Sequence, residues 1–133
     1  KKIKLSKCKT RAIVRFYPQH NSENLYGLII FTEIFPGNIT QVDGMFLVRN
    51  GLDGLKTDEG EYIYTVKLYH EDKMMYDLTR PVINGAIEFN TRVPKTANLT
   101  ICGEKSIIGN RVIINKGDTE IAKADIAALD EFN

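Results

Sequence analysis

The sequence predicts an all-β fold, an antiparallel sandwich or barrel. Three observations predict it. Apolar residues recur with a period of two rather than 3.6. The runs are short and are separated by Gly, Pro, Asn and Asp, at the spacing of a sheet protein rather than of a helical one. Only one stretch, Ile121 to Leu129, has a composition that favours helix.

The elements follow in order. In the first strand Ala12, Val14 and Phe16 share one face, and Arg11, Ile13 and Arg15 share the other. Leu25 to Phe35 is a longer β-rich run, and Phe35-Pro36-Gly37-Asn38 ends it as a turn. Thr40, Val42, Gly44, Phe46 and Val48 then alternate with Gln41, Asp43, Met45, Leu47 and Arg49. Asn50-Gly51 and Asp53-Gly54 mark a polar loop. Beyond it Tyr62, Tyr64, Val66 and Leu68 alternate with Ile63, Thr65, Lys67 and Tyr69. Met74–Leu78, Ala86–Thr91, Ala97–Cys102 and Arg111–Asn115 are shorter strand candidates, and Asn84-Gly85 is a tight-turn signal before the second of them. Ile121 to Leu129 is short enough to be either a helix or a final strand.

Composition bounds the function. The chain has 133 residues, 43% hydrophobic and 26% charged, which is material for one domain spanning residues 1–133. It begins without Met and without a signal-peptide pattern, and reads as a mature fragment or an excised domain. The net charge is +1, so the broad basic excess of a nucleic-acid binder is missing. Lys1, Lys2, Lys4, Lys7, Lys9 and Arg11 concentrate positive charge at the start, as a solvated leader or a contact for phosphates or anionic lipid. No apolar run approaches the about 18 residues of a membrane span.

Chemistry-bearing residues are few. Cys8 and Cys102 form no CxxC, which excludes a zinc ribbon or thioredoxin-type site; they are either bridged or two separate thiols. His70 precedes Glu71 and Asp72, but adjacent strand residues point to opposite faces and do not converge on a metal. His20 sits in a polar loop after Pro18. Asn38-Ile39-Thr40 and Asn98-Leu99-Thr100 fit the N-glycosylation pattern, so Asn38 and Asn98 are candidate acceptors. No nucleophile motif, phosphate loop or paired-carboxylate site stands out. Asp118, Glu120, Asp130 and Glu131 read as charged surface.

The stretch from Leu99 to Asn115 is similar to a segment of the Cu/Zn superoxide dismutase family. There a strand ends in Gly-Asp-His, a Cys-Ile-Ile-Gly-Arg loop follows, and a Leu-Val-Val-His strand comes next. Gly103, Ile107, Ile108 and Gly109 fall in step without a gap. More loosely, Arg11 to Phe16 and Tyr26-Gly27-Leu28-Ile29-Ile30-Phe31 resemble the family's first hairpin, and Val42 to Leu52 its third strand and following Gly-Leu loop. The resemblance implies an eight-stranded antiparallel Greek-key sandwich. Because that fold is often extracellular, it favours a Cys8–Cys102 disulfide and a secreted or surface location.

The resemblance does not carry the activity. The family holds copper with a His-x-His pair on one strand, a later His and a bridging His. Here Val66-Lys67-Leu68 is the nearest fit to the pair, Asn115 stands at the later His, and the bridging and zinc ligands have no counterpart. The expectation is therefore a dismutase-like domain with no catalytic residue, metal or cofactor, acting as a structural or protein-recognition module. Met74, Met75 and Tyr76 in the shortened loop are its candidate interface, with core packing as the alternative. One or more protein partners, or a homodimer, are expected, with no nucleic acid and no membrane span. Two alternatives are a divergent copper-only dismutase using His70, His20 and a non-histidine ligand, and an immunoglobulin-like adhesion domain. The absence of Trp weighs against the antibody-type version of the latter.

Overall fold

Two antiparallel sheets are built from ten strands in a computed structural model that describes residues 8–34, 39–52, 62–94 and 99–129. The strands are β1 (Arg11–Phe16), β2 (Tyr26–Ile34), β3 (Ile39–Leu47), β4 (Tyr64–His70), β5 (Lys73–Asp77), β6 (Val82–Ile83), β7 (Ala86–Pro94), β8 (Arg111–Lys116), β9 (Thr119–Asp125) and β10 (Ala127–Ala128). One sheet has the order β10-β1-β2-β3-β7-β6, the other β5-β4-β8-β9. The sequence offered eight strand candidates; residues 99–102 of one of them form no strand, β9 falls in the stretch left open between helix and strand, and β6 and β10, two residues each, are additions.

The period-two pattern sets the core. Val14 and Phe16 of β1, Ile29 and Phe31 of β2, and Val42 and Phe46 of β3 point inward against Tyr64, Val66 and Leu68 of β4 and Val112 and Ile114 of β8. Each fully buried Leu, Ile or Phe contributes about 1.5–3 kcal/mol by leaving water. Phe46 sits edge-on between Phe16 and Phe89, with ring centroids 5.0 and 5.5 Å apart. Two glycines make that cluster fit. Gly27 lies between Phe16 and Phe46 in the cross-strand register, and Gly44 lies between Ile29 and Phe89. Their φ values of +143° and +150° suit glycine, and a Cβ at either would run into a carbonyl oxygen of the neighbouring strand.

Turns follow the local chemistry. Asn84 and Gly85 have φ of 54° and 80°, the two positive values that a tight β6–β7 hairpin requires. Asn21 closes the loop between β1 and β2: its Nδ2 donates to the Tyr17 and Leu25 carbonyls and its Oδ1 accepts from the Leu25 amide.

One segment was left open by the sequence and one differs from its reading. Ile121 to Leu129, either a helix or a final strand by sequence, is strand: it holds most of β9 and all of β10. Ala122 and Ala124 pair with Ile114 and Val112 of β8, and Ala128 pairs with Ala12 of β1. Nine residues make a marginal helix, and ladder pairing to two sheets outweighs the propensity of alanine. The chain thereby crosses from one sheet to the other at Ile126 and joins them along one side.

The segment that differs is Ala97–Cys102, predicted as a strand. Residues 99–102 form none, and 97 and 98 lie outside the described residues. The Thr100 carbonyl accepts the Ile107 amide, and side chains take other backbone groups of the segment. The Glu33 carboxylate accepts the Ile101 and Cys102 amides at 3.0 and 2.7 Å, and the Thr40 hydroxyl donates to the Leu99 carbonyl. Leu99, Ile101 and Ile107 are buried within the core cluster.

Candidate functional site on the outer face of the four-stranded sheet

Strand β4 decides what faces solvent. Tyr64, Val66 and Leu68 are buried at 3%, 0% and 0% exposure, so Thr65, Lys67 and Tyr69 form the opposite, outer face. On β8, Val112 and Ile114 point inward and Arg111, Ile113 and Asn115 outward. The register joins these into rows. Tyr69 pairs with Arg111 and then Asp125, Lys67 with Ile113 and then Lys123, and Thr65 with Asn115 and then Glu120.

Val66 and Leu68, the nearest fit to a His-x-His pair, lie in the apolar core. A pair of solvent-facing ligands on β4 would have to occupy Lys67 and Tyr69. The donors there are an ammonium, a phenol and, across on β8, the amide of Asn115. Copper redox sites are built from imidazole and thiolate, so this set does not fit the metal of the resembled family. Among the described residues, no group of three or more His, Cys, Asp and Glu could hold a metal ion.

The face is polar and carries both signs. A shallow cleft of about 370 Å³ runs along it, lined among others by Tyr69, Glu71, Asp72, Arg111, Asn115 and Asp118. Arg111 Nε lies 3.2 Å from Asp125 Oδ1, and Lys123 Nζ lies 3.8 Å from Glu120 Oε2. Both pairs are exposed and each is worth about 0–1 kcal/mol. Asn115 stands where β8 bulges against β9, and its Oδ1 is buried without a hydrogen-bond partner among the described residues.

The two histidines are on separate elements. His70 ends β4, exposed, with Nδ1 3.0 Å from Asn110 Oδ1. Glu71 follows in the β4–β5 turn with φ 56°, so the His70-Glu71-Asp72 run is a solvated turn. His20 lies in the 3-10 turn Pro18–His20, its ring edge-on to Tyr17 at 5.4 Å.

The remaining candidate residues fall as follows. Cys8 and Cys102 form a disulfide with a Cα–Cα distance of 5.4 Å, compatible with an extracellular location. It ties the chain just before β1 to the segment that Glu33 also holds. Asn38 and Asn98 lie outside the described residues. The threonines of the two sequons have structural roles: Thr40 bonds the Leu99 carbonyl and Thr100 the Lys105 carbonyl. Of the candidate interface residues, Met74 is 45% exposed, whereas Met75 and Tyr76 pack partly buried against the core. The role of Glu33 went unread in the sequence. Its signal was there: Ile29, Phe31 and Glu33 share a strand face, and an acid on an apolar face calls for a partner.

In comparisons with known proteins, no family model matches the chain and no curated protein matches it. Among the described residues, no helix is long and apolar enough to cross a membrane.

Proposed function

We propose that the chain is a superoxide dismutase-like Greek-key domain without dismutase chemistry, serving as an extracellular structural or protein-recognition module. The observation that carries this reading is the outer face of β4 and β8. Lys67, Tyr69 and Asn115 stand where a metal-binding version of the sheet would need imidazoles. A fold outlasts its site when the ligands are replaced, and function is then argued from what the site has become.

Support for the Greek-key reading comes from the strand order. A three-stranded meander, β1-β2-β3, is followed by a crossing to β4 and β5, a return to β7 beside β3, and a second crossing to β8 beside β4. The extracellular reading draws on the disulfide, since such bonds persist in oxidising compartments. Met74, exposed on the edge strand β5, supports contact with a protein partner.

The test is superoxide dismutation by the purified chain after incubation with copper and zinc and removal of loose metal. The expected rate equals that of the buffer. Dismutation that His70→Ala abolishes would overturn the proposal and establish a divergent copper enzyme.

A further inference from the structure

The outer face of the six-stranded sheet carries a second feature. Two cross-strand rows lie side by side on it. One runs Arg15–Leu28–Met45–Glu88 across β1, β2, β3 and β7. The next runs Tyr26–Leu47–Ala86–Ile83 across β2, β3, β7 and β6. Tyr26, Met45 and Ile83 are 38%, 39% and 59% exposed. With the partly buried Leu28 and Leu47 between them on adjacent rows, these side chains form a stripe rather than a scatter.

The flanking charges specify what would cover the stripe. Arg15 and Glu88 are exposed and opposite in sign, and neither has an ion-pair or hydrogen-bond partner among the described residues. They cannot reach each other within one chain, because three strand spacings, about 14 Å, separate them. A second copy resolves this. A two-fold axis lying in the contact plane, parallel to the strands and midway between β2 and β3, exchanges β1 with β7 and β2 with β3. It lays Arg15 of one copy over Glu88 of the other, twice, and Leu28 over Met45, twice. Tyr26 falls over Leu47. An isologous contact requires this self-complementarity.

We propose that this face is the contact surface of a homodimer, with Leu28, Met45, Tyr26 and Leu47 at its centre and Arg15–Glu88 pairs on both flanks. Two rows farther along the strands stand Arg11, Thr32, Gln41 and Arg92, where the same axis would oppose Arg11 to Arg92. That end repels, so the contact is confined to the Tyr26 end. The next outward row, Ile13–Ile30–Asp43–Asn90, would set Ile30 against Asp43 and adds nothing, so four strands by two rows cover roughly 250 Å² per copy. A stable interface uses about 800 Å² per partner, so the dimer is weak, with a dissociation constant on the order of 100 μM. The surface lies on the other sheet from Lys67 and Tyr69, so self-association and metal content are separate readouts.

Sedimentation equilibrium of the full chain, from about 10 μM to about 1 mM, tests the proposal across that constant. Wild type is expected to pass from monomer to dimer. Arg15→Glu alone and Glu88→Arg alone each place like charges at both flanks and weaken association by about tenfold. An equimolar mixture of the two variants restores opposite charges at both flanks and recovers wild-type association as a mixed dimer. Both positions are exposed, and circular dichroism verifies that each variant keeps the fold. A chain monomeric throughout, association that neither substitution weakens, or a mixture no stronger than its components would each overturn the proposal.

Discussion

Glu33 offers the sharpest stability prediction. It is an acid at 5% exposure on the inward face of β2. Oε1 accepts the Ile101 and Cys102 amides at 3.0 and 2.7 Å, while Oε2 is buried without a partner among the described residues. Hydrogen bonds to a charged group contribute about 1.5–3 kcal/mol each, and two of them would give about 3–6 kcal/mol. Removing a buried carboxylate with one unpartnered oxygen returns part of that, so Glu33→Ala is expected to cost about 3 kcal/mol. Glu33→Gln keeps an acceptor at Oε1 and replaces the unpartnered oxygen with an amide nitrogen. Its expected cost is about 1 kcal/mol. Urea unfolding with the disulfide intact measures both, and amide hydrogen exchange at Ile101 and Cys102 localises the effect. Alanine costing no more than glutamine, with exchange at both amides unchanged, would refute a holding role of this carboxylate at Ile101 and Cys102.

Three further perturbations follow from the same geometry. Replacing Cys8 and Cys102 together by Ser removes a bridge between positions 94 residues apart. The chain-entropy model gives a loss of about 4–5 kcal/mol in denaturant unfolding, and a loss under 1 kcal/mol would show that the bridge does not constrain the unfolded chain. Gly27→Ala or Gly44→Ala forces a Cβ against a carbonyl of the neighbouring strand at positive φ, and each should cost more than about 3 kcal/mol or leave no folded protein. Finally, Lys67→His with Tyr69→His should fold and gain zinc or copper affinity, because the new imidazoles share the outer face. Val66→His with Leu68→His should unfold the domain by burying polar rings in the core. Equal behaviour of the two pairs, read by calorimetry and circular dichroism, would contradict the face assignment.

The fold class was legible because alternation survives in single strands. Ala12, Val14 and Phe16, or Tyr64, Val66 and Leu68, announce a buried face without any knowledge of what they pack against. Asn84-Gly85 announced its hairpin because few residues accept two successive positive φ values. What the sequence hid was decided by distant partners. Ile121 to Leu129 is open between helix and strand in isolation, and pairing with β8 and β1 decides for strand. Leu99 to Cys102 has strand-like composition, but Glu33, far away in the chain, takes the amides that a ladder would need. The same alternation places Lys67 and Tyr69 on the face opposite Val66 and Leu68, so which side chains of β4 meet solvent was legible too. Between Met74 and Met75 the division into exposed and packed likewise depends on a distant partner: Met74 pairs with outward-facing Tyr69, Tyr76 with buried Leu68, and Met75 sits at the bulge between them.

The reading proposed above requires that the outer face of β4 and β8 holds no copper site. Copper(II) titration of the purified full chain by calorimetry, with electron paramagnetic resonance on the same sample, tests it most directly. The account predicts no stoichiometric site, and at most weak binding that His70→Ala removes without an ordered spectrum. Tight one-to-one binding with hyperfine structure from several nitrogens would contradict it.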